Sequence, residues 1–142
     1  MQSKDNLVCE ALLTSHGYRL TSGRIALLTF LRSSKKPLSA GDIHKEMKYK
    51  IDKVTLYRAL EDFASSKIIA KVNLQSTASY YEFIHADHHH HHIICEKCGK
   101  IEDIKNCNQS NLQKETIQSS TYFATINSHS LEFFGVCKGC SR

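Results

Sequence analysis

Apolar residues in the first half of the chain recur at the spacing of amphipathic helices. Over residues 5–16 they fall on one helical face, and the same period returns after Thr21, Ser39 and Asp52. Side chains of these three types accept hydrogen bonds from the free amides at the start of a helix, so each is a typical N-cap. The pattern therefore predicts four consecutive helices, of which the fourth runs from Asp52 to about Ser65.

The fourth helix is predicted to have a buried side and an outward side. Its apolar stripe consists of Leu56, Ala59, Leu60 and Phe63. Its outward side carries Tyr57 and Arg58, with Lys53 and Thr55 near the N-terminus.

A β-hairpin is predicted directly after this helix. Branched and aromatic residues dominate positions 68–74 and 79–83, and a polar turn lies between them at 75–77. Helices followed by a hairpin are typical of a winged helix-turn-helix, in which the second helix of the pair enters the major groove of DNA. The pattern thus favours binding of double-stranded DNA through the outward residues of the fourth helix. The alternative is a small helical domain with a solvated face.

The composition is that of an ordinary globular protein. The 142 residues are 41% hydrophobic and 23% charged, which excludes global disorder and allows one domain or two small ones. The longest apolar run, residues 25–28, is far shorter than the ~20 residues of a transmembrane helix, and residues 1–20 lack the apolar segment of a secretory signal. We therefore expect a cytoplasmic protein without a membrane partner, whose cysteines are metal ligands or inert thiols rather than disulfides.

The charges divide the chain into two parts. Residues 1–72 hold 13 Lys and Arg against 7 Asp and Glu, whereas residues 73–142 hold 6 against 7 and contain most of the cysteines and histidines. A basic half favours a polyanionic partner, although a solvated basic surface has the same composition. This shift predicts a boundary within residues 73–87, and we place a winged-helix DNA-binding domain at residues 1–83 and a domain rich in metal ligands at residues 84–142.

Two C-x-x-C pairs lie in the second part of the chain. Cys95 and Cys98 form one pair, Cys137 and Cys140 form the other, and 38 residues separate them. Four thiolates would enclose Zn²⁺ in a tetrahedral site with no open position, which supports a structural role for the ion. A redox dithiol is the alternative.

A run of five histidines precedes Cys95 and is predicted to enter a strand. Alternate side chains of a strand share a face, so the run offers two separate sets of imidazoles for two metal sites. A low-complexity tract that binds metal weakly is the alternative. The two sets are His88, His90 and His92 on one face and His89 and His91 on the other, and the nearest carboxylates are Glu82, Asp87, Glu102 and Asp103.

In combination these motifs resemble the ferric uptake regulator superfamily of metal-sensing repressors. The matching segments occur in family order over nearly the whole chain. They are Arg19-Leu20-Thr21 with Arg24, Leu38-Ser39-Ala40, Thr55-Leu56-Tyr57-Arg58-Ala59-Leu60, Tyr81-Glu82, the histidine run into Cys95-x-x-Cys98-Gly99, His129-Ser130-Leu131, and Gly135-Val136-Cys137-x-x-Cys140.

The resemblance implies an α+β fold in which an N-terminal winged helix-turn-helix precedes a small α/β dimerisation domain with a four-cysteine zinc site. It implies a homodimer whose regulatory Zn²⁺ or Fe²⁺ lies between the two domains and permits binding to operator DNA. The implied regulatory ligands are Glu82, His90, His92 and Asp103, with His88 as a recruit because the linker before it is one residue longer than usual. The resemblance also implies an additional metal site of His89, His91 and His129, and DNA contacts that include Arg19.

Departures from the family pattern bear on the metal. Many members have a histidine where this chain has Pro37, which has no ligating side chain; His44 and His85 are candidates to replace it. A smaller ligand set favours a four-coordinate ion, so zinc is preferred over iron. Asp103 resembles the peroxide-sensing subgroup, but the missing histidine is one that iron-based peroxide chemistry would oxidise, so a peroxide sensor is the third option.

Two other classes of protein fit the sequence less well than a regulator. An enzyme would need an open metal position or a nucleophile–base pair, and the sequence offers neither. A metal-storage or chaperone protein would use the histidine run but would not need the basic half. The second half alone is too small to close a core, which also favours a homodimer.

Overall fold

A computed structural model of the chain describes residues 2–74, 78–86, 90–105 and 108–142. The chain divides into two compact units, Met1–Ala86 and Asp87–Arg142, called here the N-terminal and C-terminal units. The boundary expected after residue 83 stays a prediction. The N-terminal unit contains α1 (Gln2–Ser15), α2 (Ser22–Ser33), β1 (Leu38–Ser39), α3 (Ala40–Glu46), α4 (Lys53–Ser65), β2 (Ile69–Val72) and β3 (Tyr80–Phe83).

The four predicted helices are confirmed, and the last three begin at their predicted N-caps. The side-chain oxygens of Thr21, Ser39 and Asp52 accept hydrogen bonds from backbone amides one turn later, at 3.3, 3.1 and 3.0 Å. Each bond satisfies one of the amides that a helix leaves without an internal partner. Local chemistry therefore decides where α2, α3 and α4 begin.

The core of the N-terminal unit lies between its helices and its small sheet. All four residues of the predicted α4 stripe are buried, and Leu60 and Phe63 have no exposed surface. Tyr81 and Phe83 of β3 pack into the same cluster. Burial of this stripe leaves the outward side of α4 free of the core.

The predicted hairpin is confirmed, and a third strand joins it. β2 and β3 pair antiparallel, with Lys71 opposite Tyr81, and the two strands are called here the wing. β1 pairs with the other edge of β3, where Leu38 lies opposite Tyr81. β1 was not predicted from the sequence, because a two-residue strand is defined by its distant partner. The predicted turn at 75–77 lies outside the described residues.

The C-terminal unit is a three-stranded sheet with one helix. Its elements are β4 (His91–Cys95), β5 (Ile101–Ile104), α5 (Gln109–Ser119) and β6 (Glu132–Gly135), and the strand order is β5-β4-β6. β4 pairs antiparallel with β5 and parallel with β6. Parallel strands require a long connection, and here the segment between β4 and β6, which contains α5, provides it.

The architecture confirms the predicted α+β class with a winged helix-turn-helix. Among the described residues no helix combines the length and apolarity that crossing a membrane requires.

Candidate functional site

The four cysteines of the two C-x-x-C pairs come together at one end of the C-terminal sheet. Cys95 ends β4 beside Gly135 of β6, and the amide of Glu96 donates to the carbonyl of Gly135 at 2.8 Å. This pairing brings the second C-x-x-C turn alongside the first. The Sγ atoms of Cys95, Cys98, Cys137 and Cys140 all lie within 4.8 Å of one another.

The spacing of these sulfur atoms fits a metal-bound cluster. A tetrahedral Zn–S₄ site with bonds of ~2.3 Å has sulfur atoms about 3.8 Å apart. The Sγ atoms of Cys98 and Cys137 are 3.7 Å apart. Gly99, with φ of 73°, lets the backbone turn tightly around the first pair. The residues present therefore fit a closed four-thiolate site.

Backbone amides in the cluster favour the thiolate form that a metal requires. The amide of Cys137 donates to Sγ of Cys95 at 3.3 Å, and amide hydrogen bonds from Cys137 and Cys98 lower the pKa of Cys95 to about 6. The amide of Cys140 lowers the pKa of Cys137 in the same way. Hydrogen bonding to Cys137 and Cys98 raises the pKa of Cys140 to about 12, because neighbouring sulfur atoms compete for one proton. A bound cation would remove that competition.

One set of potential nitrogen and oxygen ligands lies on a single face of the C-terminal sheet. His92 and Asp103 are direct partners on β4 and β5, and Nε2 of His92 lies 3.6 Å from Oδ1 of Asp103. The ring of His90 lies 5.0 Å from that of His92, edge to face. His92 is buried, and Asp103 is exposed. Imidazole and carboxylate groups are donors typical of sites for Zn²⁺ or Fe²⁺.

A second histidine pair lies elsewhere in this unit. His91 is buried, and its ring lies 5.2 Å from that of His129 and 6.5 Å from that of Phe133. Nδ1 of His91 lies 3.1 Å from the carbonyl oxygen of Leu131. The contact of Nδ1 with this carbonyl orients the His91 ring and leaves Nε2 on the opposite side, as in histidine metal ligands that are held by a backbone group.

The remaining candidate ligands either fall outside the described residues or belong to the N-terminal unit. His88 and His89 are outside the described residues, as is Asp87. Glu82 lies on β3 of the N-terminal unit, opposite Ala70 of β2.

The candidates to replace the missing ligand belong to the N-terminal unit. Pro37 is fully buried there and offers no ligating atom. The ring of His44 packs edge-on against Tyr49, and that of His85 against Phe83.

The outward side of α4 is a candidate DNA interface. Tyr57 is 49% exposed, and Lys53, Thr55 and Arg58 are exposed as well. Thr55 also stabilises the start of α4, because its hydroxyl donates a hydrogen bond to Oδ2 of Asp52 at 2.5 Å. Arg19 precedes α2, where its carbonyl oxygen accepts a hydrogen bond from the Arg24 guanidinium at 3.3 Å.

A polar network that the sequence did not predict lies beside this interface. Oε1 of Glu61 accepts hydrogen bonds from the Tyr81 hydroxyl at 2.8 Å and the Lys71 ammonium at 2.9 Å. These two donors lower the pKa of Glu61, while burial and the bond to Glu61 raise the pKa of Tyr81 to about 12. Glu61 follows Tyr57 by four residues on the outward side, but the sequence contains no signal for partners 10 and 20 residues away.

Comparison with known proteins identifies a matching family model and several relatives. A model of the ferric uptake regulator family matches residues 15–134. The "Peroxide-responsive repressor PerR" of Staphylococcus epidermidis is 33% identical over 135 residues, which cover 93% of this chain and 87% of that protein. The "Ferric uptake regulation protein" of Neisseria gonorrhoeae is 31% identical over 134 residues, 92% of this chain and 91% of that protein. The solved ferric uptake regulator of Helicobacter pylori, described as having three functional metal binding sites, has a TM-score of 0.78 and 25% identity, and the match covers 100% of this chain and 95% of that chain.

Proposed function

The chain belongs to the ferric uptake regulator family, and on this premise we propose that it represses metal-homeostasis genes by binding operator DNA when zinc is available. Members of this family are metal-responsive transcriptional regulators rather than enzymes. The observation that carries the proposal is the pairing of a basic winged-helix unit with a second unit that holds a thiolate cluster and a separate imidazole–carboxylate set.

The thiolate cluster is proposed to hold a structural zinc ion. Its four sulfur donors leave no position for water or substrate, so the ion would stabilise the fold rather than react. Cys95 ends β4 and Cys98 follows it, whereas Cys137 and Cys140 follow β6. The ion would therefore fasten the two parallel strands together at one end.

A second ion is proposed to be the regulatory signal. Its ligands, carried over from the family resemblance, are Glu82 of the N-terminal unit and His90, His92 and Asp103 of the C-terminal unit, with His88 as a further candidate. An ion that binds only when both units contribute ligands favours one arrangement of them over others. Zinc is the preferred ion because Pro37 removes a ligand and the remaining donors suit four-coordination.

Loss of the regulatory ion would weaken DNA binding through the recognition helix α4. The four outward residues of α4 and Arg19 are the proposed contacts, with Arg58 able to reach a guanine edge or a phosphate. An ion that holds the two recognition helices of a dimer at a fixed spacing would match them to half-sites one helical turn apart, about 34–36 Å, or a multiple of it.

His91 and His129, together with His89, are proposed to form an additional metal site. The pair of rings 5.2 Å apart supports it. Two imidazoles alone bind a divalent ion more weakly than four thiolates, so occupancy of this site would depend on the metal concentration.

A second candidate is an iron-responsive regulator or an iron-dependent peroxide sensor. The names of the two relatives, a peroxide-responsive repressor and a ferric uptake regulation protein, favour it. The carboxylate of Asp103 is also compatible with Fe²⁺.

Metal-dependent DNA binding under anaerobic conditions distinguishes these candidates. Protein with metal only in the four-cysteine cluster would be loaded separately with buffered Zn²⁺, Fe²⁺ or Mn²⁺. Each sample would then be titrated with a duplex DNA that had been selected for its binding to metal-loaded protein. Activation by buffered Zn²⁺ is expected. Activation by Fe²⁺ but not by Zn²⁺ would replace the zinc assignment, and loss of the iron-activated binding after peroxide treatment would identify a peroxide sensor.

A further inference from the structure

Glu61 occupies an unexpected place for a carboxylate. It lies one turn after Tyr57 on the outward side of α4, and side chains four residues apart on a helix are neighbours. Its side chain is 54% exposed. On the proposed function this side of α4 faces DNA, where an uncompensated negative charge would be repelled by phosphates.

Both partners of Glu61 come from the wing. The Tyr81 hydroxyl of β3 and the Lys71 ammonium of β2 donate to the same carboxylate oxygen, Oε1, at 2.8 and 2.9 Å. Lys71 and Tyr81 are direct partners across the two strands, and the ammonium lies 5.9 Å from the centre of the tyrosine ring. One carboxylate therefore connects both wing strands to the recognition helix.

The Tyr81 end of this network is held rigidly. Tyr81 is 2% exposed, and it lies on the central strand of the small sheet, between Leu38 of β1 and Lys71 of β2. By contrast, Glu61 is held on the exposed side of α4 by its two wing donors. Because the Tyr81 side chain is closely packed, a small displacement of β3 would move its hydroxyl, and the hydrogen bond to Glu61 would transmit the movement to α4.

We propose that Glu61 is a positioning residue that joins the wing to the recognition helix and passes the state of β3 to the side chains of Tyr57 and Arg58. The inference rests on the proposed function, because Glu82, the proposed regulatory ligand, is the residue next to Tyr81 on β3. A metal ion that fixes Glu82 also fixes the strand, and the Tyr81–Glu61 hydrogen bond carries that constraint to α4. Lys71 offsets the carboxylate charge that this arrangement places near DNA.

The proposal is tested by the metal dependence of DNA binding rather than by its strength. Affinity for the selected duplex is measured by fluorescence anisotropy with saturating Zn²⁺ and again with zinc only in the four-cysteine cluster, and the ratio is the coupling. Tyr81→Phe removes only the hydroxyl, and Glu61→Ala removes the acceptor. Tyr80→Phe is the matched control, because it makes the same change one residue away on the other face of β3.

We expect Tyr81→Phe and Glu61→Ala to lower the coupling ratio by about 2- to 30-fold, the size of effect found for residues that link two sites. Glu61→Gln keeps an acceptor oxygen for Tyr81 and should retain more of the ratio than Glu61→Ala. Tyr80→Phe should leave the ratio unchanged. The thermal unfolding temperature and the zinc content are recorded for each variant to establish that it is folded.

Three results would overturn the proposal. One is an unchanged ratio in both Tyr81→Phe and Glu61→Ala; another is an equal fall in Tyr80→Phe. The third is a loss of affinity that is the same with and without the regulatory metal, which would mean a purely structural role. If wild-type protein itself gave a ratio of one with every metal, the proposed function would fail instead.

Discussion

The backbone amide of Cys137 donates a hydrogen bond to Sγ of Cys95 across 3.3 Å, although the two residues are 42 positions apart in the chain. The contact exists because β6 pairs in parallel with β4, so that both C-x-x-C turns leave the same end of the sheet. An amide directed at sulfur stabilises the thiolate, the form that binds a metal. The fold of the C-terminal unit and its metal chemistry are therefore parts of one arrangement.

Cys95→Ser or Cys140→Ser should remove the structural zinc and unfold the C-terminal unit. Structural zinc contributes on the order of 10 kcal/mol in small metal-dependent folds, comparable with the stability of a whole domain. Zinc content and circular dichroism check this expectation. Cys9→Ala is the control, since Cys9 is buried in the N-terminal unit and should not affect zinc content. Full zinc content and native thermal stability in both serine variants would contradict the assignment.

Arg58→Ala and Tyr57→Phe should affect DNA binding differently. If Arg58 contacts a guanine edge, its loss should cost ~1–3 kcal/mol, mainly on the selected duplex. Tyr57→Phe removes one hydroxyl and keeps the ring, so its cost should be smaller. Binding titrations on selected and random duplexes provide the comparison. Equal losses from both substitutions on both duplexes would reject this division of roles.

The helices could be predicted from the sequence because their signals are local. Thr21, Ser39 and Asp52 cap the helices that they were expected to cap, and the α4 stripe is buried as its period required. The four-cysteine cluster could also be predicted from the sequence, since a C-x-x-C turn brings the two cysteines of each pair together locally.

The parts that could not be predicted depend on contacts between distant residues. β1 exists only through its register with β3, and Glu61 meets Tyr81 only after α4 and the wing have packed. Neither arrangement leaves a periodic or compositional signal in the sequence. The regulatory ligand set came from the family resemblance rather than from spacing.

Glu61 should titrate at a lower pH than an ordinary glutamate. Its pKa is lowered by hydrogen bonds from Lys71 and Tyr81, so these contacts stabilise the folded protein above the unfolded pKa of about 4.3 and are lost as the pH falls through the folded pKa. Carbon-13 NMR of the side-chain carboxyl measures the midpoint. Tyr81→Phe should move it upward. A midpoint at or above about 4.3 in the wild-type protein would contradict the network.

The protein should be a homodimer joined through its C-terminal units. Among the described residues of this unit, the apolar side chains that are buried are Ile94 and Cys95, whereas Tyr122 is 92% and Phe123 is 73% exposed. A unit with so small a core gains stability by covering such surface with a second copy. Sedimentation equilibrium at micromolar concentration should give twice the chain mass of 16.1 kDa. The single-chain mass with zinc bound would argue against it.

The most direct test of metal-controlled DNA binding is the operator affinity of the double variant His90→Ala/His92→Ala, measured with and without added metal. The four-cysteine zinc, the mass in solution and the folded state should match wild type, as they should for the control variant His16→Ala. We expect that metal no longer raises the affinity of the double variant for DNA, while wild type and His16→Ala respond fully. An unchanged metal response in the double variant would contradict it and would direct the search for the regulatory site to His89, His91 and His129.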